Sequence, residues 1–331
     1  MNKEHIKYND LSICIVNWNV QERLKNCLRS IFEVRRNLDY EVIVVDNGSG
    51  DGSGEMVKEE FLSVSLIQNR GNRGFAAACN QAIQKSLAPY ILLLNPDTEV
   101  WPGALEDMVR FLDNHPAAGG SSCRLLNPDG SLQRGIRSFP TYKTALREFT
   151  ILGDMGFFRR EKRRYFCSDF DYNREAIVEQ PMGAALFLRK SAIEKVGLMD
   201  EEFFLYFEEV DLCRRLVLAD YSIWYNPRCT IIHIGGESTM QAGSESYYNL
   251  IQSQLHYLKK YHGTGAFGYF EIPFKFLFVL GFFWGMAENL ISLTVRYLTR
   301  SSPSRLENTS RRLRMKRDFC RLFLFRLLFN E

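Results

Sequence analysis

Along the first third of the chain, short apolar runs take turns with amphipathic stripes. Leu11–Val16 is a β-branched apolar run. After it, Leu24, Leu28, Ile31 and Phe32 recur at i, i+4, i+7 and i+8, which gathers them on one helix face. Glu41–Val45 reads as a second strand, Val64–Gln68 as a third, Phe75–Gln84 as a helix and Tyr90–Leu94 as a fourth strand. Leu105, Met108, Val109 and Leu112 mark another helix. This alternation predicts βαβ units with right-handed crossovers, hence an α/β fold with a mostly parallel central sheet flanked by helices. Ligands of such sheets bind beyond the carboxyl ends of the strands, here the loops at 46–51, 69–74 and 95–99.

Residues 119–178 carry a weaker pattern, with a turn at Asn127-Pro128-Asp129-Gly130 and a basic stretch at Arg159–Arg164. Order returns at Ala184–Leu188 (strand), Ser191–Val196 (a short helix with Ser191 as N-cap) and Val210–Leu216 (helix). From Ala266 the chain turns Phe/Leu-rich and then basic. The expected division is a catalytic domain over 1–265 and a helical, membrane-associating tail over 266–331.

Composition adds an asymmetry to this picture. The 331 residues carry a net charge of +3, but ten Lys/Arg face two acids between Arg296 and Arg326. That tail balance of +8 leaves −5 for the rest of the chain. The eight cysteines are scattered without CxxC or Cys/His ligand spacing, which argues against a zinc site. MNKEHIKYNDLS has no apolar signal core, and with reduced thiols this points to the cytoplasm.

Several residues are suited to chemistry. In Leu92–Thr98 a buried strand ends in Asn95-Pro96-Asp97, which sets a carboxylate at the sheet's edge; Asp97 can hold a divalent cation or cap the next helix. Asp46 ends the second strand likewise and can accept a base N–H or form an Asx-turn. Asn69–Phe75 places glycines and arginines before a helix, where backbone N–H groups can meet phosphate. Carboxylates are interleaved with aromatics over Asp200–Asp211. A half-buried Glu gains a raised pKa suited to a general base, so Glu208, Glu209 and Asp211 are candidates, and Glu208 and Glu209 can equally open a helix. His233 closes an Ile run before Gly235, either as metal ligand or as core histidine.

These segments, in this order, resemble glycosyltransferase family 2, particularly its rhamnosyltransferase-like branch. The matching stretches are SICIVNWN (12–19), VVDNGSGDGS (44–53), NRGFAAACN (72–80), LLLNPDT (92–98), Gly183-Ala184, VGLMDEEFFLYFEEVDLCRR (196–215) and Trp224–Ser238. The resemblance covers roughly residues 10–262. It implies a GT-A fold, a nucleoside-diphosphate-sugar donor and inversion at the anomeric carbon. Asp46 would then read the base, with Asn17 and Trp18 lining the nucleoside pocket. Asn72, Gly74 and Asn80 would shape the floor under the donor, joined by Asn95, Gly183 and Ala184. Asp97 and His233 would hold Mg²⁺ or Mn²⁺, and Glu209 matches the family's base. Two departures stand out: Asn95 replaces a common Asp, and Glu209 replaces a common Asp.

The tail holds an uncharged run, Phe276–Ala287, too short by itself to span a bilayer; extended to Ile272–Val295 it admits Lys275 and Glu288 and is a marginal span. Met315, Phe319, Leu322 and Phe323 form a stripe among Arg312, Arg314, Lys316, Arg317 and Arg321, which suits an in-plane helix on an anionic leaflet or, as the alternative, an oligomerisation or core-packing helix. Its Phe/Leu content exceeds what phosphate binding needs, so nucleic acid is not expected. The reading is therefore of an enzyme peripheral to the inner face of the cell membrane. It moves a sugar, dTDP-rhamnose being the first donor considered, to a lipid-linked glycan acceptor in cell-surface polysaccharide biosynthesis. The competing readings are transfer to polyprenyl phosphate and a non-catalytic nucleotide-sugar binding module.

Overall fold

The computed structural model describes residues 10–33, 38–235 and 237–298, with 318, 319, 324 and 326 beyond them. Its first compact unit comprises Met1–Phe139 and Asp169–Ser238. It opens with β1 (Leu11–Asn17), α1 (Gln21–Glu33), β2 (Tyr40–Asp46), α2 (Ser53–Glu60), β3 (Ser65–Gln68), α3 (Phe75–Lys85), β4 (Tyr90–Leu94), β5 (Thr98–Val100), α4 (Ala104–Asn114), β6 (Ala118–Leu126) and β7 (Ile136–Arg137). The second unit, Pro140–Ser168 with Thr239–Glu331, begins with α5 (Tyr142–Phe149), α6 (Ile151–Asp154) and α7 (Arg159–Tyr165). The chain returns to the first unit through β8 (Ala176–Val178), β9 (Gln180–Pro181), β10 (Ala185–Arg189), α8 (Lys190–Val196), α9 (Glu208–Leu218) and β11 (Ser222–His233). It then forms α10 (Glu237–His262), broken at Gly243, and α11 (Thr264–Leu298).

The central sheet runs β3-β2-β1-β4-β10-β6-β11-β5, with β8 on the side of β11. From β3 to β4 every pairing is parallel, and β6 meets β11 in parallel as well. β10 enters antiparallel between β4 and β6. Strands buried on both faces explain the unbroken apolar runs of β1 and β4. Leu24, Leu28 and Ile31 of α1 and Leu105, Met108 and Leu112 of α4 are sealed against this sheet. Each helical stripe thus lies on the face that its spacing predicts.

The sequence reading did not name β5, β6, β7, β8 or β9 as strands, and it misplaced one cap. β6 has the composition of a loop (AGGSSCRLL) yet is central and buried. Its glycines answer to crowding: a Cβ on Gly119 would come 2.8 Å from Tyr221 Cβ, and one on Gly120 3.0 Å from the Phe187 carbonyl oxygen. Ser191 does not cap α8; Arg189 precedes that helix and Ser191 lies within it. The expected boundary at 265/266 falls inside the second unit, which also gathers residues 140–168. Of the basic stripe expected at 312–323, all but Asp318 and Phe319 lie outside the described residues. Phe319 is itself buried, with ring contacts to Tyr247, Phe278 and Phe282 within the second unit. The described cysteines are all free.

Candidate active site

The sheet's topology builds one edge from residues far apart in sequence. Parallel register sets Asn17, the last residue of β1, beside Asp46, the last of β2. β10 runs the other way, so its start lies against the end of β4, and the Asn95 N–H donates to the Ala184 carbonyl at 2.9 Å. Asn17, Asp46, Asn95 and Ala184 therefore share the carboxyl end of the strands.

Asp46 and Asn17 are both buried, and the Asn17 amide donates to Asp46 Oδ1 at 3.3 Å and to Ser49 Oγ at 3.1 Å. The Asx-turn alternative for Asp46 does not hold. The turn acceptor is Asp51, whose Oδ1 takes the Ser53 N–H at 3.1 Å. Trp18 follows Asn17 directly and is half-buried.

Asn47 is the hub of the neighbouring loops, and the sequence reading did not single it out. Its amide donates to Asn72 Oδ1 (3.0 Å) and the Gly74 carbonyl (3.1 Å). Its Oδ1 accepts from Asn69 (3.0 Å) and from the Arg73 N–H (3.1 Å). Asn72 Oδ1 also takes the Gly74 N–H at 2.9 Å, so Asn72 shapes the loop from within. Gly74 has φ +87°, and an added Cβ would come 2.8 Å from the Phe204 carbonyl oxygen. The Phe75 N–H donates to that same oxygen at 2.7 Å. The glycine loop is thereby fastened to the aromatic, acidic segment.

Asn80 fastens it a second time. Its Oδ1 accepts from the Met199 N–H, and its amide donates to the Met199 carbonyl and to Glu201 Oε1, each at 2.9 Å. With both ends of the amide engaged, Asn80 positions residues 199–201.

What these clamps hold is the turn into α9. Tyr206 and Phe207 both have φ +69°, a conformation costly for side chains of this size. Glu208 and Glu209 then open the helix, as the helix-start alternative anticipated. Yet Oε2 of each lies buried without a hydrogen-bond partner. Burial pushes the Glu208 carboxyl well above the usual carboxylate range, reinforced by the charge of Glu209. Burial raises Glu209 too. An added Cβ on Gly183 would meet Glu209 Cγ at 3.3 Å, which brings Glu209 to the same sheet edge. Asp211, grouped with these two from sequence, is committed elsewhere. It is fully buried and accepts from Arg215 Nε at 2.8 Å, while the Arg215 guanidinium also grips the carbonyls of Val196, Gly197 and Leu198. Its work is to anchor α9.

Asp97 and His233 meet through the β5–β11 pairing, which sets His233 opposite Thr98. His233 Nε2 lies 3.4 Å from Asp97 Oδ1. Asp97 does not cap the next helix: β5 follows it, and α4 begins beyond Gly103. Gln133 Oε1 stands 2.7 Å from His233 Nδ1, and the Gln133 amide donates to Asn127 Oδ1 at 3.0 Å. An Nδ1–H donated to Gln133 leaves the Nε2 lone pair facing Asp97. A carboxylate oxygen and a ring nitrogen converging in this way fit a divalent cation. No group of three or more His, Cys, Asp or Glu arranged to hold a metal ion occurs among the described residues. A cation here would draw its remaining ligands from substrate oxygens and water.

An α/β unit with a buried strand-end carboxylate, a carboxylate–imidazole pair and a Glu with one unpaired oxygen at one edge has the parts of a sugar-transfer enzyme. The family profile described as glycosyl transferase family 2 matches residues 12–191, and the chain belongs to that family. It is a glycosyltransferase with the GT-A-like α/β fold, a mostly parallel central sheet flanked by helices and a C-terminal apolar helix. The N-acetylglucosaminyl-diphospho-decaprenol L-rhamnosyltransferase of Mycobacterium tuberculosis is 27% identical over 213 residues, 60% of this chain and 67% of that protein. The low-salt glycan biosynthesis hexosyltransferase Agl10 of Haloferax volcanii is 28% identical over 248 residues, 73% of this chain and 72% of that protein. Among solved structures, the mannosyltransferase PcManGT of Pyrobaculum calidifontis, in complex with GDP-Man and Mn²⁺, shares the fold. Its TM-score is 0.55 at 13% identity, covering 98% of this chain and 89% of that one.

Proposed function

We propose that the chain is an inverting, metal-dependent glycosyltransferase that moves a sugar from a nucleoside-diphosphate sugar to a hydroxyl of a lipid-linked glycan, in cell-surface polysaccharide biosynthesis at the cytoplasmic side of the membrane. The observation that carries this reading is Glu209: a carboxylate with one oxygen unpaired, at the carboxyl edge of the sheet, on a strained turn clamped by Asn80 and Gly74. In a single displacement the acceptor O–H gives its proton to Glu209 as the new oxygen–carbon bond forms. The bond from the anomeric carbon to the phosphate oxygen breaks on the opposite face, and the nucleoside diphosphate leaves with the electron pair. Asp46 and Asn17 are suited to the nucleoside, Asn95, Gly183 and Ala184 to the sugar. Asp97 and His233 would hold Mg²⁺ or Mn²⁺, which neutralises the charge that develops on the diphosphate.

The Mycobacterium relative makes an L-rhamnosyl transfer the first activity to test, with dTDP-rhamnose as donor. The tail is assigned to the membrane because the candidate span Thr264–Ser292 has a mean hydropathy of 1.5. The deciding experiment incubates the enzyme with a panel of nucleotide sugars and scores metal-dependent release of free nucleoside diphosphate. Release from dTDP-rhamnose alone fixes the donor; no release from any member, with or without a lipid-linked acceptor, overturns the enzymatic reading.

A further inference from the structure

The second compact unit has a feature that sugar transfer does not explain: α11 is apolar on two opposite faces. Phe267, Phe274, Phe278 and Phe282 form one stripe, buried within the unit. Tyr269, Ile272, Phe276, Leu280, Trp284 and Ile291 recur on the other face at helical spacing, and each is between 43% and 89% exposed. That exposed stripe is about 33 Å long at 1.5 Å per residue. The charges near it are partly masked. Lys275 pairs with Glu271 at 2.8 Å, and Glu288 accepts from the Trp284 indole at 2.8 Å.

The buried stripe decides how such a helix can meet a bilayer. Tyr142 of α5 packs against Phe270 in a tilted ring pair with centres 4.4 Å apart. Gly281 lies so close to α6 that an added Cβ would sit 2.6 Å from the Ile151 backbone nitrogen. α5 and α6 carry Lys143, Arg147, Glu148 and Asp154. A spanning α11 would drag these polar helices into hydrocarbon, whereas a helix lying in the interface keeps them on the water side.

The neighbouring segment supplies the complementary charge. One turn beyond Ile151 come Met155 and Phe157, exposed by 65% and 52%. Next is α7, whose sequence is RREKRRY. Its single acid is turned to internal use. Hydrogen bonds from Arg164, Thr144 and Thr141 hold the Glu161 carboxyl down at about 2. Arg159, Arg160 and Lys162 remain exposed. Exposed apolar side chains next to a cationic helix have the chemistry that an anionic lipid surface takes.

We infer that the second unit seats in the plane of an anionic bilayer through the exposed face of α11 together with Met155, Phe157 and the cations of α7. This extends the membrane assignment made above from the tail to a segment lying inside the catalytic sequence. The test uses the full chain and vesicles of phosphatidylcholine with or without phosphatidylglycerol, read by co-sedimentation. Each exposed cation near an anionic surface is worth up to roughly fivefold in affinity. Replacing Arg159, Arg160 and Lys162 together by Ala should therefore weaken binding to the anionic vesicles by roughly ten- to a hundredfold. It should leave the residual binding to neutral vesicles unchanged. Met155→Ser with Phe157→Ser should lower binding on both vesicle types. Circular dichroism and thermal melting should match wild type, since all five positions are exposed. If wild type binds and both variants bind equally well, the tail reading stands and this surface is wrong. If wild type ignores both vesicles, both readings fall. If the lipid-free chain forms dimers that Phe276→Ser with Trp284→Ser dissolves, a second copy covers α11 and the inference is overturned.

Discussion

Two carboxylates of α9 stand two residues apart and lead opposite lives. Asp211 is fully buried and answered by Arg215, which in turn ties three carbonyls of the 196–198 segment. Glu209 presents a buried oxygen with no partner, on a turn that holds two aromatic residues at positive φ. A structural carboxylate is satisfied by its own fold. Under the base role proposed for Glu209, the partner it lacks is the substrate proton, and surrounding clamps offset the cost. The Asn80 and Gly74 contacts are those clamps.

The sharpest way to break this comparison is at Glu209. Glu209→Gln keeps size and removes basicity, so turnover should fall by roughly 10²–10⁴-fold with donor affinity almost unchanged. Nucleoside diphosphate release and calorimetry with donor would measure the two. Near-normal turnover would transfer the base role to Glu208. Asp211→Ala should do the reverse. It removes the carboxylate that pairs with the half-buried Arg215 guanidinium, which keeps its three carbonyls, and should cost about 2 kcal/mol of stability, seen in denaturant melts, while molecules still folded keep their turnover. A stable Asp211→Ala enzyme with lost turnover would erase the distinction drawn here.

Much of this was legible in the sequence, and what was not has identifiable causes. Strands β1, β2 and β4 announced themselves because burial on both faces demands unbroken apolar runs. Asp46 and Asp97 stood out as polar residues where those runs stop. β6 was hidden because Tyr221 and the Phe187 carbonyl leave room only for glycine, and glycine reads as loop. Gln133 was hidden because its partner His233 lies 100 residues away. Glu209 and Asp211 look alike in sequence. Two residues along a helix turn the side chain to the other side, where Arg215 waits four residues on. The second unit was read as a tail alone, since nothing local in 140–168 tells that Ile151 rests on Gly281.

Asp97 and His233, the proposed metal ligands, extend the comparison to smaller effects. Asp97→Ala and His233→Ala should each abolish divalent-dependent donor binding in calorimetry. Gln133→Leu keeps both ligands but frees the imidazole to turn, and should weaken Mn²⁺ affinity by about 10–100-fold in a titration read by electron paramagnetic resonance. Unchanged Mn²⁺ affinity in the Gln133 variant would limit that residue to packing.

The smallest effect concerns Glu208, the neighbour whose carboxyl burial and Glu209 push well above the usual range. A raised folded-state value means that the folded chain keeps a proton which the unfolded chain has already released. Stability is then unaffected below the ordinary carboxylate range, falls as pH rises from that range to the raised value, and stays reduced above it. Glu208→Gln removes that loss. Ligand-free melting temperatures of wild type and variant should coincide near pH 4, and by pH 8 the variant should melt a few degrees higher. Glu208 is still protonated where Glu209 ionises, so in any turnover the variant retains, the acid limb should stay where wild type has it. A variant that melts lower than wild type at pH 8 would mean that the Glu208 carboxylate is held by a favourable contact, and the contrast with Asp211 would then rest on Glu209 alone.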